Sequence, residues 1–491
     1  MFKRVGITWL VLMAAVLVVT TPAAQPAAQR DEEYELMRLL IDTLDQVERN
    51  YVKPVSRREL VEAAIRGILS KLDPYSSYIG PSEMQSFRTA MDSQFGGIGI
   101  EIGMRRGRLM VLSPLVGTPA YRAGVSAGDW ITRIDGQSTE GMGLDEAVKR
   151  LKGPVGSTVR ITVVRPGQSR EQELTITRQI IHIDTVTGNH RRADESWEFM
   201  LDPEKRIGYI RIAAFSRSTA DELRRALDEL QTEGMRALVL DLRFNPGGLL
   251  SSAVAVSDMF VSKGRIVSTE GRNVPSRSWE AHQKGTYGGF PMAVLVNRFT
   301  ASGAEIVAAC LQDHKRALVI GERTYGKGTV QNVIELEHDP DADTARTALK
   351  LTTAGYQRPS GHKIHRFPGE GEEAEWGVQP DEGFRRQLSQ REMFAVLQQQ
   401  RLRDMLPRRP TGQGKTERGE AGQDETAQEG KETGRSEGRT PPIGLRRPFV
   451  DPHLRMAVDY LSGQLAGTDK EAGADQDKPA SAEEGEASGQ K

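Results

Sequence analysis

"ALVIGERTYGKGTVQ", Ala317 to Gln331, comes close to spelling a phosphate-binding loop. The apolar run Leu318 to Ile320 leads into Gly321, four residues follow, and then come Gly326 and Lys327. A phosphate loop continues with a magnesium-ligating Ser or Thr and opens a helix whose N-terminus faces the phosphates. Position 328 is Gly, and the next run, "TVQNVIEL", alternates and is rich in β-branched residues, which predicts a strand. The stretch reads strand, loop, strand, and nucleotide binding is rejected. Lys327 is left on the connection. Exposed on a hairpin, it is an ordinary surface lysine. Pointing into a dry cleft, it loses the hydration that favours its charged form and can serve as a general base.

Outward from that stretch, strands and helices alternate from about Val186 to Gln387. "RIGYIRIAAF" reads as a strand, "TADELRRALDELQTEG" as a helix with Leu223, Leu227 and Leu230 inward, "ALVLDLRFN" as a strand and "AEIVAACLQDH" as a helix. This alternation predicts an α/β layer with a largely parallel sheet. Upstream, about Ser93 to Arg178, short strands with glycine punctuation and one late helix, "LDEAVKRLKG", make a compact module. Before it, apolar steps of three and four predict helices over about 33–52 (Leu36, Leu40, Leu44, Val47) and 58–72 (Leu60, Ala64, Ile68), the second stopped by Asp73-Pro74. Beyond Arg408 a polar stretch almost without aliphatic residues is expected to be disordered. "DPHLRMAVDYLSG" then offers a short amphipathic helix before a polar tail.

The 491 residues suffice for two or three domains. Lys and Arg (66) nearly cancel Asp and Glu (67), so no global field points to nucleic acid. One cysteine, Cys310, rules out an internal disulfide and cysteine-based zinc sites, and its apolar run predicts a buried, inert thiol. At the N-terminus, Lys3 and Arg4 precede an apolar stretch, Val5 to Val19, and then Pro22, Ala23, Ala24 and Ala28. That is the layout of an export signal, cleaved or kept as an anchor.

Three further stretches carry candidate chemistry. In "NRFTASGAEIVAACLQDH" Ser302 stands at a predicted helix start. With Glu305 it spells a capping box, and it could equally be a nucleophile whose oxyanion the helix N-terminus stabilises. No histidine sits in a frame that would make it the base: His182, His190, His282, His314, His338, His362, His365 and His453 read as scattered surface residues. In "VLDLRFNPGGLL" a buried strand ends in Asn245-Pro246-Gly247-Gly248, a plain turn or a source of oxyanion donors from Gly247 and Gly248. "FGGIGIEI", with Gly97, Ile98, Gly99 and Ile100, is a glycine bulge or a nest that captures a peptide C-terminal carboxylate beside a free strand edge.

In this order, the motifs resemble the C-terminal processing peptidases, or tail-specific proteases. "VERNYVKPVSRRELVEAAIRGILSKLDPYSSYI" resembles their helical N-terminal region, and "FGGIGIEI" through "VGSTVRITVVR" their PDZ domain. "VLDLRFNPGG", "VNRFTASGAEIVAACLQDHKRALVIGERTYGKGTVQ" and "LTTAGYQRPSG" resemble their protease core. The resemblance implies a multidomain α/β and β protein: a PDZ domain set before a crotonase- or ClpP-like α/β serine protease core. The expected parts are a signal or anchor (1–28), helical region (29–92), PDZ domain (93–178), core (179–387), helical then disordered linker (388–447), short helix (448–466) and tail (467–491).

It also implies roles: Ser302 as nucleophile, Lys327, 25 positions on, as base, and Gln331, four further, as the residue that orients the amine. Gly303 joins Gly247 or Gly248 as oxyanion donor. Thr300, Gly303 and Ala304 depart from the family's usual serine-rich surroundings, and "EGEEAEWGVQPD" is an unusual acidic insert. The implied activity is cofactor-free and metal-free endopeptidase cleavage of exported proteins held by their C-termini. Inner-membrane association through the N-terminus and a homo-oligomer are further expectations. The rival reading is an exported PDZ scaffold that binds tails without cutting them.

Overall fold

The computed structural model describes residues 27–92, 94–339, 344–404 and 449–476. Nearly all of the export-signal segment, the polar stretch 405–448 and the tail after 476 lie outside the described residues. No helix among the described residues is long and apolar enough to cross a membrane.

The central sheet has Ile207–Ile212, Ala237–Asp241, Met292–Val296 and Leu318–Gly321 in parallel and in that order. "ALVLD" and "MAVLV" are apolar along nearly their whole length because both faces of this sheet are covered. On one face lie the helices Thr219–Thr232, Leu250–Asp258 and Gly303–Asp313. On the other, Leu454, Ala457, Leu461 and Leu465 of the helix Pro452–Gln476 pack on Tyr209, Val239, Leu295 and Ile320. That helix runs ten residues past its expected end at 466. It is also pinned electrostatically: the buried Arg243 guanidinium donates to Asp241 at 2.6 Å and to Asp451 at 2.9 Å. Breaking such a buried pair would strand a charge in the interior. His453 is therefore no surface residue. It is fully buried, with Nε2 2.8 Å from the Arg386 carbonyl. Cys310 is buried as expected, and burial pushes its thiol up to about 12.

A second sheet carries Ser77–Ile79, Thr344–Gln357, Arg265–Glu270 and Arg277–Glu280, with Thr329–Asp339 paired on Thr344–Gln357. The strands flanking Lys327 thus belong to different sheets, and residues 322–328 cross from one to the other. The hairpin alternative for Lys327 falls on that topology.

The helical N-terminal region comprises Ala27–Asn50 and Arg57–Ser70, plus a third helix, Pro81–Asp92, that the periodicity did not signal. Its strand Ser77–Ile79 enters the second sheet, with Ser77 opposite Lys350. The PDZ module has the strand order Ile100–Arg105, Arg108–Pro114, Trp130–Ile134, Thr158–Val164, Glu171–Thr177 around a core that includes Leu109, Val111, Ile131 and Ile161. Ile100–Arg105 is the strand at the end of that order. Gly97 lies elsewhere, in a ribbon of Gln94–Gly97 with Gln179–His182 that brings the module's two ends together. Ile98 points into the module's core at 2% exposure. Gly99 has φ +78°, and a Cβ there would stand 2.3 Å from the Thr118 side chain, so only glycine fits.

Candidate active site

Ser302 sits where the strand Met292–Val296, a five-residue loop and the helix Gly303–Asp313 meet. Its backbone has φ 55° and ψ −117°, a region that side-chain-bearing residues rarely occupy. Such strain persists only where the surroundings hold it. They do: Ala301 N–H donates to the Asn245 carbonyl at 2.9 Å, Tyr325 N–H to the Thr300 carbonyl at 2.9 Å, and Ser302 N–H to the Glu305 carboxylate at 2.8 Å. The last bond is the Glu305 half of the capping box. The cap and the nucleophile reading therefore share one geometry.

The Asn-Pro-Gly-Gly turn lies against this serine. A Cβ on Gly247 would come within 2.7 Å of Ser302 Cβ and 2.9 Å of Gly303 N. Gly247 N–H donates to Asn245 Oδ1 at 2.8 Å, however, and its carbonyl accepts from Phe215 N–H. Gly248 N–H and Gly303 N–H have no partner among the described residues. A methyl on Gly303 would lie 3.6 Å from Gly248 N, so the two open amides are close neighbours. The Asn245 side chain occupies the Gly247 amide and leaves that of Gly248 open.

Glu305 does more than cap. It is fully buried, and Thr324 Oγ1 (2.5 Å), Gly326 N–H (2.6 Å), Lys327 N–H (2.8 Å) and Ser302 N–H (2.8 Å) all donate to its carboxylate. One oxygen, Oε2, takes both the Ser302 and Lys327 amides. A single side chain thus joins the serine loop to the lysine loop. Burial raises Glu305 to about 7, against the four donors, which favour its ionised form.

The Lys327 amine lies 4.8 Å from the centre of the Tyr75 ring, a cation–π contact supplied by the N-terminal region. Asp73 builds that loop by accepting Tyr75 and Ser76 N–H at 2.7 and 2.8 Å, and Ser76 Oγ accepts Thr352 N–H at 3.1 Å. Lys327 is held below the usual lysine range first by burial, then by Lys350, with Glu305 and Asp73 opposing. Burial, and then the Tyr325 hydroxyl, push the Tyr75 phenol up to about 12, so its ring stays neutral. The ring face favours the ammonium form, so removing it lowers the Lys327 pKa further. Tyr75→Leu should shift the rising limb of the pH–kcat/KM profile to lower pH, while Tyr75→Phe keeps the limb in place. Identical limbs for Leu and wild type would remove Tyr75 from the site.

Not every expected contact forms. Gln331 Nε2 donates to Thr329 Oγ1 at 2.8 Å, to the Thr329 carbonyl at 3.2 Å and to Thr352 Oγ1 at 3.4 Å. Among the described residues no hydrogen bond joins Gln331 to Lys327, or Ser302 Oγ to Lys327 Nζ. Catalytic bonds of this kind often tighten only around a substrate. Sequence reading missed Tyr75, Asp73 and the second role of Glu305. The run "KLDPYSSYI" carries no local pattern that points to the lysine loop.

These features define a serine-type peptidase carrying a PDZ domain, and comparison with known proteins agrees. Residues 206–383 match peptidase family S41, residues 110–165 a PDZ domain, and residues 11–82 the activating protease CtpB N-terminal domain. A carboxy-terminal-processing protease of Bartonella bacilliformis is 37% identical over 72% of this chain and 78% of its own. The carboxy-terminal processing protease CtpA of Bacillus subtilis is 33% identical over 74% and 75%. A solved photosystem II D1 C-terminal processing protease is 32% identical with a TM-score of 0.39, covering 72% of this chain and 92% of that one. The chain belongs to the carboxy-terminal processing proteases of family S41.

Proposed function

We propose that this chain is an exported endopeptidase that holds substrate tails in its PDZ domain and cuts them with a Ser302–Lys327 dyad. The observation that carries the reading is the shared Glu305 oxygen, which fixes the Ser302 and Lys327 backbones to one another at 2.8 Å each. A tail enters along the terminal PDZ strand near Gly99 and Ile100. Neutral Lys327 takes the Ser302 hydroxyl proton as Oγ attacks the peptide carbonyl. The Gly248 and Gly303 amides hold the oxyanion, with Gly247 shaping the turn rather than donating. As the C–N bond breaks, Lys327 returns the proton to the leaving amine. Water, deprotonated by Lys327, then frees the acyl group from Ser302. Gln331 takes its orienting role in this reading once substrate has closed the site.

Export rests on the N-terminal signal layout, which also allows inner-membrane association. Leu36, Met37 and Leu39 of the first helix are at least 60% exposed, which supports a homo-oligomer. Cleavage of casein and of tail peptides by purified protein, with Ser302→Ala and Lys327→Met beside it, tests the dyad; equal activity in all three would sink it. The PDZ contribution has its own test. The Gln94–His182 pairing lets residues 95–181 be replaced by a short linker. The product should keep the core but lose its preference for substrates with a free C-terminus. An unchanged preference would move tail recognition elsewhere.

A further inference from the structure

A cleft of about 1160 Å³ opens beside the lysine loop, with Gly328 and Thr329 in its wall. Three separate parts of the chain build it. The N-terminal region gives Leu72 and Tyr75, the second sheet gives Tyr356, and residues 366–370 give Phe367 and Pro368. That last wall is the start of the segment containing the unusual acidic insert, and it is held rigidly. Trp376 meets two guanidinium groups with its ring, Arg323 at 3.6 Å and Arg366 at 4.4 Å from the centroid. Arg323 also donates to the Trp376 and Glu372 carbonyls at 3.0 and 2.7 Å, and to that of Ala374. Trp376 in turn backs the lysine loop: a Cβ on Gly326 would stand 2.8 Å from its ring. Phe367 N–H donates to Glu370 Oε2 at 2.7 Å, closing the turn that presents Phe367 at 45% exposure.

We propose that this cleft is the pocket that selects the substrate residue beside the scissile bond, and that it takes an aromatic or large aliphatic side chain. The inference rests on Lys327 belonging to the active site. The surface of the cleft is mainly apolar, and the charged groups around it come in both signs, Asp73, Glu270 and Glu370 against Lys363 and Arg366. A charged side chain gains nothing there, whereas an apolar one exchanges water for ring faces. His365 also lines the cleft, and its buried Nδ1 has no partner. The turn 366–370, braced by the insert that follows it, therefore acts as a specificity wall docked on the lysine loop.

The test uses full-length protein and tail peptides with one C-terminal sequence, so that the PDZ contribution is constant. A single residue near the cut is varied among Phe, Leu, Ala and Asp. Wild type should prefer Phe or Leu over Ala at one position by roughly 10-fold or more in kcat/KM. Phe367→Ala should shrink that ratio through KM, while Phe367→Leu should keep most of it. Binding of the same peptides to Ser302→Ala, read by fluorescence anisotropy, separates the cleft from the dyad. If Ser302→Ala discriminates and Phe367→Ala in that background does not, the cleft stands even if the dyad reading fails. A ratio unchanged by Phe367→Ala, or no preference at any position, overturns the proposal.

Discussion

Ser302→Ala and Lys327→Met should each lower kcat by about 10⁴-fold or more, and the double variant should fall little further. A nucleophile and its base act as a unit, so removing either removes the covalent route. Their effects on stability should differ. Lys327 is held below its unfolded-state pKa by burial. A lysine of that kind binds fewer protons folded than unfolded, so stability rises with pH between the folded and unfolded pKa values. Below that window the full penalty is present. Methionine carries no such penalty in the same space. Lys327→Met should therefore be inactive yet at least as stable as wild type at neutral pH, by thermal melting followed by circular dichroism. A variant that melts well below wild type would mean that the amine is held for structure. Multiplicative losses in the double variant would show that Ser302 and Lys327 do not act together.

Much of this was legible because it depends on local pattern. The strand after Lys327, the helix after Ser302 and the glycine turn after Leu242 are each decided by residues within a few positions. What stayed hidden depends on long-range pairing. Nothing local says that Leu318–Gly321 and Thr329–Asp339 lie in different sheets, yet that crossing is what keeps Lys327 from being a hairpin tip. Tyr75 lies 252 positions from Lys327, and only the pairing of Ser77–Ile79 with Thr344–Gln357 brings it there. His453 looked like a surface residue because its short helix gave no sign of the sheet face it covers. Gln331 is the reverse case. Its place is legible from spacing, but whether its amide meets Lys327 or Thr329 is a matter of side-chain geometry that spacing does not encode.

Glu305→Gln should be strongly damaging although it is isosteric. Each carboxylate oxygen accepts two bonds: Oε1 from Thr324 Oγ1 and Gly326 N–H, and Oε2 from Ser302 and Lys327 N–H. An amide has one oxygen, so whichever way it turns, its NH₂ faces two buried donors. Leaving buried donors unpaired costs about 1–3 kcal/mol each. The variant should lose on the order of 2–4 kcal/mol, read from urea unfolding. It should also lose kcat, because the two loops no longer share an anchor. The pH dependence has a defined sign. Burial raises Glu305 from its ordinary value to about 7, so across that interval the folded state binds more protons than the unfolded one. Its contribution to stability is therefore fully present below the unfolded pKa and declines as pH rises through about 7. The wild-type advantage over Glu305→Gln should be widest in acid and narrow toward neutrality, while activity, which needs a neutral Lys327, rises over the same range. Opposite trends in stability and rate would show that the joint holding the two loops together is bought against the burial of a charge. A Gln variant with wild-type unfolding and kcat would show instead that the loops are positioned without it.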